Sequence, residues 1–473
     1  MSHDQLNKKI PFVKNLGDTE LDNKIRGKPG SPANNNLLIF KKPPDQIDSI
    51  PGDRWKYIIP PAILVYIVAF IDRTNIGFAI AGGMDKTLGM TVTVTGLVAG
   101  IFFIGYLFLQ IPGGRIAERG SAKKFVAWTI LSWGGLTILS GFAQNVTQIL
   151  ILRFFIGFAE GGVWPAILTI ISHWFPREER ARANAFFMMN APIASIIAGP
   201  LSGWILATYS WRYLFIIEGL LALLLMIIWV PLISDYPRDA KWISGKEKEY
   251  IESKLHKEQE ELNPNNIDKV QLVKVFSKVD LWKLMVIYFF YQTGIYGFVL
   301  WFPTLLKSLT HSGIFAVGML STIPYIATIM GLYYFAKLSD RKMNRKLYTA
   351  LPMLGFALCL VLSVQFKSTI WISFAFLVLC GFFLLSANGV FWTMPTMLFP
   401  SDMAATSLGI INIAGALGGF LGPYMVGFLT SRYGTDAGIY SLVLILMLGF
   451  SITLILPAKT GNFGKMTFRI ISS

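Results

Sequence analysis

Apolar residues run through this chain in stretches of about 20, the length that carries a helix across a bilayer, and short polar gaps separate them. Twelve such runs qualify as spans: 57–82, 94–112, 125–143, 147–172, 184–207, 213–234, 283–306, 314–336, 346–365, 370–398, 404–430 and 436–457. Between the sixth and seventh lies a polar stretch, 235–282. Its segment KWISGKEKEYIESKLHKEQEELNPNN suits a short surface helix followed by a linker.

The pattern predicts five parts. Residues 1–55 form a polar tail, rich in Pro, Asn and mixed charge. Residues 56–234 form a first six-helix half, 235–282 a central loop, 283–458 a second half, and 459–473 a closing tail. The opening residues lack the form of a signal peptide, so the first apolar run is expected to stay as an anchor.

Composition agrees with a membrane chain. The 473 residues are 53% hydrophobic and 15% charged, against about a quarter charged in ordinary soluble proteins. The net charge of +15 does not point to nucleic acid, because its basic residues are spread over short loops. Loops after the second, fourth and eighth runs carry Arg115, Arg119, Lys123 and Lys124; Arg177, Arg180 and Arg182; and Lys337, Arg341, Lys342, Arg345 and Lys346. Loops after the odd-numbered runs carry only Lys86, Arg212, Lys307, Lys367 and Arg432. Basic loops stay on the cytoplasmic side, so both termini and the central loop are expected there. Cys359 and Cys380 lie inside apolar runs and imply no disulfide framework.

The two halves repeat. GRIAERGSAKK follows the second run and AKLSDRKMNRK the eighth. Each has an acid-Arg pair, Glu118-Arg119 and Asp340-Arg341, followed at equal spacing by two basic residues. HWFPREER and MLFPSDMA place Pro176 and Pro400 in corresponding positions. AGPLSGWI and LGPYMVGF place Gly199-Pro200 and Gly422-Pro423 likewise. All three pairs share an offset of about 223 residues. Parallel six-helix halves with a site between them are a known transporter plan.

With these motifs the chain resembles the major facilitator superfamily over about residues 55 to 460. AFIDRTNIGFA, YLFLQIPGGRIAER and RFFIGFAEGGVWPA narrow the resemblance to its anion:cation symporter branch, the organic-acid and sugar-acid permeases. The resemblance implies an all-α membrane protein of twelve transmembrane helices in two pseudo-symmetric halves. It implies transport of sugar acids, tartrate, aromatic acids or related carboxylates. One departure is Ser121, where the loop motif usually has Gly; a looser turn is expected there.

Charges inside spans are rare and usually functional. Here they are confined to one half: Asp72 and Arg73 in the first run, Arg153 and Glu160 in the fourth. The repeat positions in the second half, near Ile295, Leu377 and Phe383, are uncharged. Charges that merely held the fold together should survive in both halves, so these four read as functional. An arriving carboxylate would compete for an arginine and free an acid to take a proton. The resemblance assigns the proton to Asp72 and Glu160 and the substrate carboxylate to Arg73. It makes Arg153 the partner of Glu160, and Arg153 is read with Arg73 as substrate-binding. The structural alternatives are a satisfied Asp72-Arg73 pair near the interface and an Arg153-Glu160 pair that only joins helices. Glu218 reads as an interfacial acid at the start of the sixth run.

Neutral groups facing these charges should recognise hydroxyls or a ring. Candidates are Tyr106 and Gln110 of the second run, Asn190 of the fifth, Tyr288, Tyr291, Gln292 and Tyr296 of the seventh, Ser386, Asn388, Trp392 and Thr393 of the tenth, and Asn412 of the eleventh. The pairs Gly157/Gly161, Gly415/Gly419 and Gly418/Gly422 serve close helix packing. Glu118, Arg119, Asp340 and Arg341 are expected to latch helix ends in one state, with neighbouring basic residues near anionic lipid headgroups.

No glycine-rich phosphate loop of the form GxxxxGK(S/T) occurs, so an ion or substrate gradient is the expected energy source. His3, His173, His256 and His311 form no metal cluster with the cysteines, and neither an enzyme activity nor a cofactor is expected. The reading is a monomeric carrier in the plasma membrane that imports a small organic anion with protons. The alternatives are an antiporter or efflux transporter, and a transporter-like nutrient sensor.

Overall fold

The computed structural model describes residues 52–261, 275–399 and 401–456. Most of the expected N-terminal tail, the linker 262–274, Pro400 and the expected C-terminal tail lie outside the described residues. Within them every regular element is helical. The first half is α1 (Asp53–Ala81), α2 (Val92–Arg119), α3 (Ala122–Ser140), α4 (Val146–Trp174), α5 (Arg177–Thr208) and α6 (Trp211–Leu232). The second is α7 (Val279–Thr310), α8 (Ile314–Lys342), α9 (Arg345–Gln365), α10 (Ile370–Leu398), α11 (Ser401–Tyr433) and α12 (Thr435–Ile455).

Each expected run is therefore a helix. Eleven are long and apolar enough to cross a membrane. The exception is α3, whose first turn holds Lys123 and Lys124. It still packs against α4 and α6 like the others. Several helices outrun their apolar stretch, as α5 does with its charged start at Arg177 and α8 with its end at Lys342. Large apolar side chains such as Trp128, Ile227, Tyr333 and Trp371 stand exposed on the bundle's outside, as lipid contact requires.

Polar residues fix the helix starts. Thr91, Ser121, Asn145 and Asn344 each accept a hydrogen bond from a backbone N–H three residues on. Ser121 corrects the looser turn expected of it. Its hydroxyl caps α3 and also donates to Asp235 just beyond α6, while Lys123 N donates to the same carboxylate at 2.8 Å.

The central segment is more than a surface helix. Its helix Gly245–Glu261 buries Glu247 completely. Glu247 Oε1 accepts from Arg54 Nη1 at 2.6 Å, at the start of α1. Glu179 of α5 holds the other side of the Arg54 guanidinium, at 2.8 Å, and accepts from the Tyr250 hydroxyl at 3.1 Å. Three elements meet on one buried cation.

Glycine sets the helix spacing. A Cβ on Gly157 would lie 1.9 Å from Phe102 O, and one on Gly161 2.3 Å from Tyr106 O. The expected small-residue pair thus draws α4 backbone to backbone against α2. Gly418 and Gly422 do the same for α11 against α7. The halves meet along α2 with α11, α5 with α8 and α1 with α7. These contacts gather at the end away from Arg54. Gly100 abuts Phe420 O, Gly318 abuts Gly199 O, Thr93 Oγ1 lies 2.8 Å from Ser431 Oγ, and Lys307 Nζ donates to Ala81 O at 2.6 Å.

Candidate functional site

From Ile71 to Ala81 every residue of α1 is buried, because α5, α6 and α7 all pack against it. Polar side chains placed there must find partners inside the bundle, since each unsatisfied buried group costs about 1–3 kcal/mol. Asp72 and Arg73 are neighbours in sequence and so point about 100° apart around the helix. They therefore reach different partners instead of pairing with one another.

Arg73 reaches α4. Its Nη2 donates to Glu160 Oε2 at 3.2 Å. Aromatic rings surround the guanidinium, with Cζ 4.9 Å from the Tyr106 centroid, 5.2 Å from Phe102 and 5.9 Å from Tyr66. The tight α2–α4 packing at Gly157 and Gly161 brings these rings into place. Tyr296 of the second half packs beside them, its ring meeting Phe103 of α2 with centroids 4.3 Å apart.

Arg153 does not take the role that the resemblance assigned. It donates to the carbonyls of Asp72 at 3.2 Å and Arg73 at 3.1 Å. The partner of Glu160 is Arg73. Arg153 is fully buried and anchors α4 to the α1 backbone, in reach of the Asp72 and Glu160 carboxyls.

Glu218 is likewise not interfacial. Because α6 begins at Trp211, Glu218 lies two turns inside it and is 2% exposed. Its Oε2 accepts from Asn75 Nδ2 at 2.8 Å and its Oε1 from Ser202 Oγ at 3.1 Å. The same Asn75 nitrogen donates to Asp72 Oδ1 at 3.0 Å. Asn75, Ser202 and Tyr66 escaped the sequence reading. Asn75 carried a signal: three residues after Asp72, it falls on the same helix face.

Unpaired atoms concentrate here. Asp72 Oδ2, Arg73 Nε, Asn75 Oδ1, Gln110 Oε1, Arg153 Nε and Glu160 Oε1 are buried with no hydrogen-bond partner among the described residues. Such a group of charged and amide atoms suits a polar ligand and exchangeable protons.

Across from it, Tyr288 stacks on Phe391 with centroids 4.9 Å apart and meets Trp392 edge-on at 4.8 Å. Gln292 lies against Gly415, one turn from Asn412. Asn388 Oδ1 is buried without a hydrogen-bond partner among the described residues. Other candidates are committed to the fold: Tyr291 donates to Leu384 O at 2.8 Å, Ser386 to Phe382 O at 2.6 Å and Thr393 to Val390 O at 2.7 Å. Asn190 donates to Phe187 O at the break in α5. Of the loop residues, Asp340 pairs with Arg345 at 2.6 Å inside its own half, while Glu118, Arg119 and Arg341 are exposed. A cleft lined by Asp85, Trp301, Thr304 and Thr430 shares no residue with the charge cluster.

Relatives match nearly the whole chain. A quinolone resistance transporter of Acinetobacter baumannii is 32% identical over 428 residues, 87% of this chain and 96% of that one. A putative tartrate transporter of Agrobacterium vitis is 31% identical over 410 residues, 85% and 90% of the two chains. Among solved structures, a bacterial homologue of the human lysosomal transporter Spinster, inward-facing and occupied, has a TM-score of 0.69 at 16% identity. That likeness covers 86% of this chain and 97% of the other. A family model described as Major Facilitator Superfamily matches residues 62–423. This chain, with its duplicated six-helix halves, belongs to the Major Facilitator Superfamily.

Proposed function

We propose that this transporter carries a small organic anion, a carboxylate such as a tartrate-like, sugar or aromatic acid, and couples its import to protons. The observation that carries the reading is the buried Arg73–Glu160 pair, in which Arg73 Nε and Glu160 Oε1 both lack a hydrogen-bond partner among the described residues. A substrate carboxylate entering between the halves competes for Arg73. Glu160 then loses its counter-charge in a buried setting and takes up a proton. Anion and proton bind together, as symport requires. Asp72 is the second acid of the site, and Arg153 holds α1 and α4 in register. Tyr106, Gln110, Tyr288, Gln292, Asn388, Trp392 and Asn412 are the proposed contacts for the rest of the substrate.

The described contacts between halves lie at one end, so access runs from the end that carries Arg54. With both termini and the central loop in the cytoplasm of a plasma-membrane carrier, this is an inward-facing state. The exposed Glu118, Arg119 and Arg341 are then an open latch, with Lys123 and Lys124 near anionic lipid headgroups. The carrier works as a monomer, since each chain holds a whole site.

The description of the Agrobacterium relative supports the carboxylate class. That of the Acinetobacter relative favours a second reading, extrusion of a drug-like compound. Uptake into proteoliposomes separates them. With labelled tartrate and a panel of organic acids, an inward proton gradient should drive accumulation that a protonophore abolishes. An antiporter would need a counter-anion inside, an exporter would move its cargo against that gradient's direction, and a sensor would bind without turnover.

A further inference from the structure

The buried cluster holds three acids, Asp72, Glu160 and Glu218, against two arginines, Arg73 and Arg153. If all five were ionised, the cluster would carry an excess negative charge in the buried interior of the bundle, where an uncompensated charge is costly. The three acids are not equivalent. Glu160 has Arg73 at 3.2 Å. Asp72 faces Arg153, which holds its own carbonyl. Among the described residues Glu218 receives only neutral donors, the Asn75 amide at 2.8 Å and the Ser202 hydroxyl at 3.1 Å. The charged groups that reach it are Asp72 on α1 and Arg153 on α4. The group of α5 that faces it is the neutral Ser202.

We propose that Glu218 is a third proton-carrying acid of the transporter. It holds a proton in the empty state and is linked to Asp72 through the Asn75 side chain. Asn75 is built for both protonation states. Its nitrogen bridges Asp72 Oδ1 and Glu218 Oε2, while its oxygen is unpaired. Oxygen and nitrogen of an amide exchange places by a half-turn. After that turn the amide oxygen accepts from a protonated carboxyl. The proton on Glu218 brings the empty cluster to neutrality, two ionised acids against two arginines. An incoming anion then needs one further proton, at Glu160. The link to transport rests on the proton-coupled reading above; the protonation of Glu218 stands on the cluster alone.

The test needs no cargo. Infrared spectra of the purified full chain in lipid nanodiscs, in H2O and D2O near neutral pH, report buried protonated carboxyls. The wild type should show a deuterium-sensitive protonated-carboxyl band, and Glu218→Gln should lose it. Ser202→Ala, which removes a donor and keeps the acid, should shift the band without removing it. This second variant decides the matter if Glu218→Gln does not fold. A wild type without the band, a band unchanged in Glu218→Gln, or one unmoved in Ser202→Ala would overturn the proposal. Uptake of organic acids decides the carrier reading separately: a chain that transports none of them and still loses the band in Glu218→Gln keeps this inference and loses that one.

Discussion

Arg73 Nη2 lies 3.2 Å from Glu160 Oε2, so one buried ion pair ties the first helix to the fourth in the middle of a bundle. Removing one partner of such a pair is costly. Exchanging one partner for an incoming carboxylate is not. That difference is what a coupled carrier can use.

Glu160→Gln keeps the shape of the side chain and removes its titration. Accumulation of organic acid driven by a proton gradient should vanish, while exchange of labelled for unlabelled acid across the membrane persists. Proteoliposome uptake and counterflow measure the two. Undiminished accumulation would take Glu160 out of the mechanism.

Arg73→Lys keeps the charge and loses the planar fork that grips a carboxylate. Anion affinity should fall about tenfold, or 1.4 kcal/mol, with the protein still folded. A Kd equal to the wild type's, from calorimetry or scintillation proximity, would show that Arg73 does not hold the substrate.

Thr93 Oγ1 and Ser431 Oγ are 2.8 Å apart across the two halves. Cysteines at both positions should form a disulfide under mild oxidation, since Cys359 and Cys380 are buried. The cross-link should stop transport and reductant should restore it. Full activity of the cross-linked protein would mean that this end need not open.

Glu247 is completely buried against Arg54. Glu247→Ala removes one of the carboxylates that hold that guanidinium and should lower stability by about 3 kcal/mol, the low end for a broken buried pair, because Glu179 remains. A thermal-unfolding midpoint within a degree or so of the wild type's would contradict the clamp.

Tyr250 gives that clamp an alkaline limit. Burial, and then the neighbouring Glu179 carboxylate, push its phenol up from 10 to about 12. The folded state holds the proton more tightly than the unfolded one. The phenol's contribution is therefore intact below about pH 10 and is lost as pH rises through about 12. Tyr250→Phe should flatten the fall in apparent melting temperature over that window. An identical fall in both proteins would show that the phenol contributes nothing.

The helices were legible in the sequence because lipid demands long apolar runs, and the halves because their motifs repeat at one offset. The four charges Asp72, Arg73, Arg153 and Glu160 stood out as charge in apolar surroundings, and the structure does bring them together. Which arginine meets which acid was not legible. It depends on how α1 is turned against α4, where Arg153 takes the Asp72 and Arg73 carbonyls and leaves Glu160 to Arg73, and residue type alone does not specify that. Glu218 was misplaced because nearness to a helix start does not say which face a residue occupies, and Glu218 turns inward to Asn75 and Ser202. Ser121 was misread for a similar reason: its partner, Asp235, lies more than a hundred residues away in sequence. Arg54, Glu179 and Glu247 lie in polar segments where charge is ordinary, so nothing in the sequence marked them.

The central claim is that an arriving anion displaces Glu160 from Arg73 and so brings a proton with it. Proton uptake on binding measures this directly. Purified protein in weak buffer, with a pH indicator dye, is mixed with whichever organic acid of the panel binds. The wild type should remove protons from solution as it binds, and Glu160→Gln should bind without doing so. Equal proton uptake in the two proteins, or binding to the wild type with no proton uptake, would contradict the account.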